Sequence, residues 1–228
     1  MTEIYDAQEF LEDPVRDRVI RGTVSCVPEA RGKIRLRALG GIQAPRHVTI
    51  RFTADSFRGN VVIGVGPGPA SCVVASAGPV VAQINLWRDA RVAIGRGTTI
   101  NAARIIADAA DLTVGEDNLW SDEIIIQTSD QHGLIDLSTD RLLIPERGVV
   151  ATGDHVWLGR RSLVLPNVRI GDGSTVGAGS VVTRSVDPFC VVAGNPARVL
   201  RENTTWSRSP DGFSSEEEAW VAAHRPKL

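Results

Sequence analysis

The sequence has little of what marks several large classes of protein. Of its 228 residues only three are cysteine, one is methionine, one is tyrosine and four are histidine. Cys26, Cys72 and Cys190 are odd in number and far apart. They make no disulfide framework and no paired-cysteine zinc pattern, and are expected to be buried, reduced thiols. No apolar run reaches the roughly 18 residues that would suggest a membrane span. Met1 to Phe10 carries acids and no hydrophobic leader segment, so a cytoplasmic location is expected. A formal charge of −2 leaves no basic footprint for a nucleic-acid partner. Hydrophobic residues nevertheless make up 43% of the chain, enough to bury a sizeable core.

What the chain does have is a period of six. From Thr152 it divides into TGDHVW, LGRRSL, VLPNVR, IGDGST, VGAGSV and VTRSVD. The first positions are Thr152, Leu158, Val164, Ile170, Val176 and Val182, all aliphatic except the threonine. The fifth positions, Val156, Ser162, Val168, Ser174, Ser180 and Val186, are small or β-branched. Gly153, Gly159, Gly171 and Gly177 follow the first position. An α-helix would space its apolar residues by three and four. A strict six with glycine beside the aliphatic residue predicts an all-β chain wound as a left-handed parallel β-helix. Each block is then a short strand and a turn, with the aliphatic side chain inside a triangular prism and the small residue at a corner. Three blocks make a coil, and coils stack at about 4.8 Å.

The frame is weaker upstream. IGRGTT, INAARI and IADAAD start at Ile94, Ile100 and Ile106, and a two-residue slip resets the frame to Val114, Trp120 and Ile126. Asn60 to Val92 is rich in Val, Ile and Gly without a clean six. Ile34, Leu36, Val48, Ile50 and Phe52 alternate with polar residues as half-buried strands do. The expected organisation is irregular β-helix coils over 1–91, the hexapeptide β-helix over 92–201 with an excursion loop at 127–151, and a C-terminal tail over 202–228. The loop lacks the repeat and carries Asp130, His132, Asp136, Asp140 and Pro145; loops of this length in a compact domain are usually functional. In the tail, Ser214 and Ser215 precede three glutamates and an apolar stretch, which predicts a short capped helix with solvated acids in its first turn.

From Gly153 to Arg201 the sequence resembles the hexapeptide-repeat acyltransferases. GDHVWLG, VRIGDGSTVGAGSVVT and VVAGNPARVLR are close to that family's terminal signature. WSDEIIIQTSDQHGLID looks like the stretch bearing the active-site histidine in sugar and polysaccharide O-acetyltransferases such as galactoside and maltose acetyltransferases. The similarity covers roughly Val92 to Arg201. It implies acetyl-CoA as cosubstrate, a sugar or glycan acceptor, and His132 as catalytic base with Asn101 beside it. It also implies that Trp157 flanks the transfer site, that Ala178, Thr183 and Arg184 contact coenzyme A, and that Arg198 and Arg201 lie near its phosphates. Arg160 stands beside the thioester, where the family usually has a small residue.

The chemistry asked of these residues is direct transfer. A sugar hydroxyl is a poor nucleophile, and a histidine that titrates near neutrality can take its proton as it attacks the thioester. A donor must stabilise the oxyanion. An adjacent acid such as Asp130, itself a candidate acceptor contact, could orient the His132 imidazole, and so could a backbone carbonyl. His155 reads as an exposed rung residue, and His47 and His224 as surface histidines. Trp157 could also be plain outer-wall packing, and the arginines a solvated rim. Rival functions are N-acetylation of an amino sugar nucleotide, a metal-dependent hydratase similar to γ-class carbonic anhydrases, and a non-catalytic scaffold. The hydratase needs about three histidines around a metal, and no close histidine pair is present, so no metal is expected. A short prism with flat flanks predicts a homotrimer with its sites between subunits.

Overall fold

The two apolar positions of each block do what their spacing requires. Leu158, Val164, Ile170, Val176 and Val182 are buried, as are all six fifth positions from Val156 to Val186. Thr152 points inward with them. A computed structural model describes residues 1–12, 18–143 and 147–226; Pro145 lies outside them. In this region strands two residues long, Trp157–Leu158, Leu163–Val164 and Arg169–Ile170 among them, form three walls. Each stacks parallel on the strand 18 residues further on, Trp157 beside Thr175 and Leu163 beside Val181. The result is a left-handed parallel β-helix.

The glycine after the first position has a steric cause. Gly95, Gly115 and Gly153 lie along one edge of the prism. A Cβ on them would sit 2.4 Å from the Gly115 oxygen, 2.3 Å from the Gly153 oxygen and 2.0 Å from Asp172 Oδ1, respectively. The coils are close enough there that only glycine fits. Carboxylates lace the same edge: Asp154 accepts from the Glu116 N–H at 2.7 Å and Asp172 from the Asp154 N–H at 2.8 Å.

The N-terminal coils are broader and have two long strands per turn instead of three short ones. Arg46–Phe52, Gly68–Val74 and Ala90–Ile94 stack in one sheet, and Ile34–Ala38, Asn60–Val65 and Val80–Trp87 in the other. A turn takes 20 to 22 residues, Thr49 lying beside Ser71 and Ser71 beside Arg91. The alternation of the Arg46–Phe52 strand puts Val48, Ile50 and Phe52 in the core.

The change of cross-section happens within one strand, Thr99–Asp108. On one side it pairs with the single strand Val80–Trp87; on the other it pairs with both Leu119–Trp120 and Ile124–Gln127. Val80 faces Ile100 while Ala82 faces Ala103. Asn101 and Ala102 therefore oppose Val81 alone, which is a β-bulge that bends the strand around a corner. This corrects the frame expected from Ile106. The bulge reverses the phase earlier, so Ile105 and Ala107 point into the core and Ile106 is half-buried on the outside. Val114, Trp120 and Ile126 are inside, as the reset frame requires.

The excursion leaves the prism after Thr128 and returns at Arg147. Across it the register jumps, Leu119 lying beside Trp157. It holds a small antiparallel hairpin, Ile135–Asp136 with Arg141–Leu142, and exposes Leu134, Ile135, Leu137, Leu142 and Leu143. Arg147 clamps its base, donating from Nε to Asp111 Oδ2 at 2.6 Å and from Nη1 to Asp89 Oδ2 at 2.8 Å. All three cysteines are buried, and burial pushes the Cys72 thiol up to about 12.

The tail is not a loose appendage. After the hairpin Val191–Gly194 with Ala197–Arg201, it runs back along one edge of the prism, meeting coil after coil. The Thr204 N–H donates to the Phe189 carbonyl at 2.8 Å, Thr205 Oγ1 to the Gly173 carbonyl at 2.8 Å, and Trp206 Nε1 to the His155 carbonyl at 2.8 Å. Arg208 reaches Asp117 Oδ1 at 2.6 Å and the Gly97 carbonyl at 3.4 Å. The helix Ser215–His224 follows, with Ser214 and Glu217 forming a capping box. Glu217 is not solvated as expected: at 7% exposure it also accepts from the Arg208 N–H at 2.9 Å.

Candidate active site

His132 sits on a turn built by its neighbours. Thr128, 1% exposed, accepts the Asp108 N–H on its hydroxyl at 3.1 Å and fixes where the chain leaves the prism. Ser129 Oγ then accepts from the Gln131 N–H at 3.1 Å, and Gln131 takes a left-handed φ of 60°. The turn folds the imidazole back so that Nδ1 lies 3.1 Å from the Asp130 carbonyl oxygen. A carbonyl only accepts, so Nδ1 carries the hydrogen and Nε2 keeps its lone pair. The orienting group is thus the main chain, not an acid. The Asp130 carboxylate is occupied elsewhere, accepting from Gln127 Nε2 at 3.3 Å.

The imidazole faces a cavity of about 640 Å³ lined by Arg88, Asp108, Thr128, Leu134, Leu143 and Asn167 among others. Arg88 holds Asp108 with two hydrogen bonds of 2.7 Å each. Asp108 is 5% exposed, and its hydrogen bond raises the Arg88 guanidinium above the ordinary arginine value. The pair puts a rigid, internally balanced charge next to the base. Sequence reasoning missed it, because Arg88 and Asp108 belong to different coils and no motif links them.

The other expected site residues lie at other edges. Asn101 is exposed at the bulge, and neither it nor Trp157 lines the His132 cavity. Trp157 is 37% exposed on the outer wall and donates from Nε1 to Ser121 Oγ at 3.3 Å. Arg160 reaches Asp122 Oδ2 at 3.1 Å. Ala178, Thr183, Arg184, Arg198 and Arg201 are exposed on the last coils and the terminal hairpin. A side chain at Gly179 would meet nothing within 4 Å, so the surface beside Ala178 is open to a narrow chain. Within one chain the His132 edge and the Ala178 edge are not brought together. Among the described residues no three His, Cys, Asp or Glu side chains converge as metal ligands.

His155 is the largest departure from expectation. It is 1% exposed, not a surface rung. Its ring stacks on Trp206 at 4.3 Å and 10°, and Trp220 lies 4.9 Å away. Both ring nitrogens face acceptors: Asp117 Oδ2 at 2.7 Å from Nδ1 and the Trp206 carbonyl at 3.0 Å from Nε2. The tail covers this edge, and two tryptophans in a polar tail were the only sequence signal that it would.

Comparison with known proteins bears on this arrangement. The family described as bacterial transferase hexapeptide (six repeats) matches residues 150–184. The C-terminal coils are a bacterial transferase hexapeptide repeat. Around that repeat the chain is 30% identical over 142 residues to a polysialic acid O-acetyltransferase of Escherichia coli O1:K1 / APEC, covering 62% of this chain and 46% of that protein. It is 32% identical over 111 residues to the galactoside O-acetyltransferase of Escherichia coli K12, covering 48% of this chain and 53% of that protein. The chain thus spans about half the length of these curated relatives. The fold match extends beyond the repeat. The crystal structure of the polysialic-acid-specific acetyltransferase NeuO superposes with a TM-score of 0.72 at 23% identity, covering 83% of this chain and 81% of that one. The polysialic acid O-acetyltransferase OatWY superposes with a TM-score of 0.53 at 22% identity, covering 82% and 84%.

Proposed function

We propose that the protein is an acetyl-CoA-dependent O-acetyltransferase acting on a hydroxyl of a sugar or polysaccharide precursor, with His132 as general base. The observation that carries this is the His132 imidazole held by the Asp130 carbonyl, its Nε2 lone pair facing a cavity on a hexapeptide-repeat prism. The named activities of the relatives support the reaction class.

Nε2 takes the acceptor proton as the hydroxyl oxygen attacks the thioester carbonyl. The tetrahedral oxyanion collapses, the C–S bond breaks, and the thiolate leaves with the proton returned from the imidazolium. The acetyl ester and free coenzyme A balance the reaction, with no covalent enzyme intermediate and no metal required. The donor's narrow arm fits along Ala178 and the open surface at Gly179, with Thr183 beside it. Arg184, Arg198 and Arg201 offer guanidinium groups to its phosphates, and Trp157 and Arg160 flank the thioester. Since His132 and the Ala178 edge are separated within one chain, the complete site is formed between subunits of a homotrimer, where Asn101 and Asp130 contact the reacting acceptor. A soluble cytoplasmic enzyme fits these substrates.

Incubation with acetyl-CoA and a panel of sugars, sugar nucleotides and oligosaccharides tests the reading, with free-thiol release and product mass as readouts. Ester formation on a hydroxyl is expected. An alkali-stable amide would replace it with N-acetylation, and no thiol release with any acceptor or with bound coenzyme A would remove the function.

A further inference from the structure

Trp157 is exposed by 37% on the outer wall, yet its ring is fixed from two sides. Nε1 donates to Ser121 Oγ at 3.3 Å, and the Trp206 ring lies 6.2 Å away at an angle of 48°. Trp206 is in turn held more tightly than packing alone demands. It is 6% exposed, stacks flat on His155 at 4.3 Å, donates from Nε1 to the His155 carbonyl and accepts from His155 Nε2 on its own carbonyl. The tail therefore ends its descent at this coil as a rigid indole wedged between a buried imidazole and an exposed indole.

We propose that Trp206 is a positioning residue for the acetyl donor, acting through Trp157. The inference rests on the reading that Trp157 flanks the site of transfer. A solvent-facing tryptophan without a buttress samples several side-chain rotamers, and ordering it on ligand binding weakens affinity. Trp206 removes that disorder in advance, and the Ser121 hydroxyl sets the direction of the ring. A donor-binding surface built on a short strand is thereby supported by residues that never touch the donor. The tail thus forms part of the donor site, although residues 202–228 carry none of the repeat.

An aromatic contact of this kind contributes about 0.5–1.5 kcal/mol, so losing it should weaken acetyl-CoA about 2- to 12-fold. The test compares wild type with Trp206→Ala, Trp206→Phe and Ser121→Ala. Each variant is checked for mass by light scattering and for thermal stability, then measured for coenzyme A affinity by calorimetry and for the KM of each substrate. Trp206→Ala and Ser121→Ala are expected to raise the acetyl-CoA KM and the coenzyme A Kd within that range, with acceptor KM unchanged. Trp206→Phe keeps a stacked ring and should restore most of the affinity. Ser121→Ala touches no part of the tail and keeps the test open if Trp206→Ala fails to fold. Unchanged coenzyme A affinity in Ser121→Ala and Trp206→Phe, together with either an unchanged Trp206→Ala or one that fails to fold, would overturn the proposal while leaving the transferase reading intact. Equal rises in both substrates' KM would also overturn it. Failure of the wild type to bind coenzyme A would overturn both.

Discussion

Asp117 and His155 meet across 2.7 Å although 38 residues separate them. Arg208 donates to the other oxygen of the same carboxylate at 2.6 Å. Burial alone would raise the Asp117 carboxyl, but the hydrogen bonds from His155 and Arg208 outweigh it and hold the group below its ordinary value of 3.8. A carboxylate depressed in the folded state stabilises above its unfolded value and loses that contribution as pH falls through its folded value. The docked tail should therefore be indifferent to pH between 5 and 7 by this route and loosen in acid below the ordinary value of 3.8. Tryptophan fluorescence against pH checks this, since Trp206 and Trp220 gain solvent as the tail lifts. Asp117→Asn should flatten that acid transition; an unchanged one would assign it to another group.

His132→Ala should lower kcat by roughly 10²–10⁴-fold with little change in coenzyme A affinity or oligomer mass, because the turn that bears it lies outside the prism. Steady-state kinetics with the identified acceptor is the measurement. Near-full activity would exclude His132 as base.

Asp130→Asn separates the two ways of orienting that base. The carbonyl that holds Nδ1 survives the substitution, so kcat should stay within about threefold of wild type, well short of the loss that removing a base causes. Any loss should fall on acceptor KM. A drop in kcat as deep as that of His132→Ala would show that the carboxylate acts on the imidazole after all.

Arg184→Ala and Arg198→Ala should weaken acetyl-CoA more than dephospho-coenzyme A, by about 1.5–3 kcal/mol for a charge-assisted contact. Calorimetric titration with both ligands decides it. Equal losses would place the residue away from the missing phosphate.

Gly153→Ala should destabilise the fold. Its Cβ would come within 2.0 Å of Asp172 Oδ1 and 2.9 Å of the Asp172 nitrogen, displacing the carboxylate that caps the Asp154 N–H. A cost of about 1–3 kcal/mol is expected from such overpacking, read as a lower midpoint in denaturant. An unchanged midpoint would mean that the coils spread apart without penalty.

These cases show which features a sequence exposes. The interior of the C-terminal prism was legible because one constraint repeats: the same wall recurs every 18 residues, so Leu158, Ile170 and Val176 announce themselves. The bulge at Asn101 and Ala102 was not, since a single extra residue shifts phase without changing composition. The orientation of His132 by a main-chain carbonyl leaves no trace in residue identity. His155 was misread because its partners, Asp117 and Trp206, lie on another coil and on a tail that carries no repeat.

The tail that runs along the prism edge also bears on how the molecule unfolds. A stack of coils touches only its nearest neighbours and can fray or melt piecemeal, each repeat contributing its own stability and one interface. Here residues Thr204 to Arg208 contact coils from Phe189 back to Gly97, the longest link joining residues 111 apart in sequence. Opening any one of those coils strips contacts from the tail, and loss of the tail strips contacts from the rest. A modular array is thereby tied into a single cooperative unit over that span.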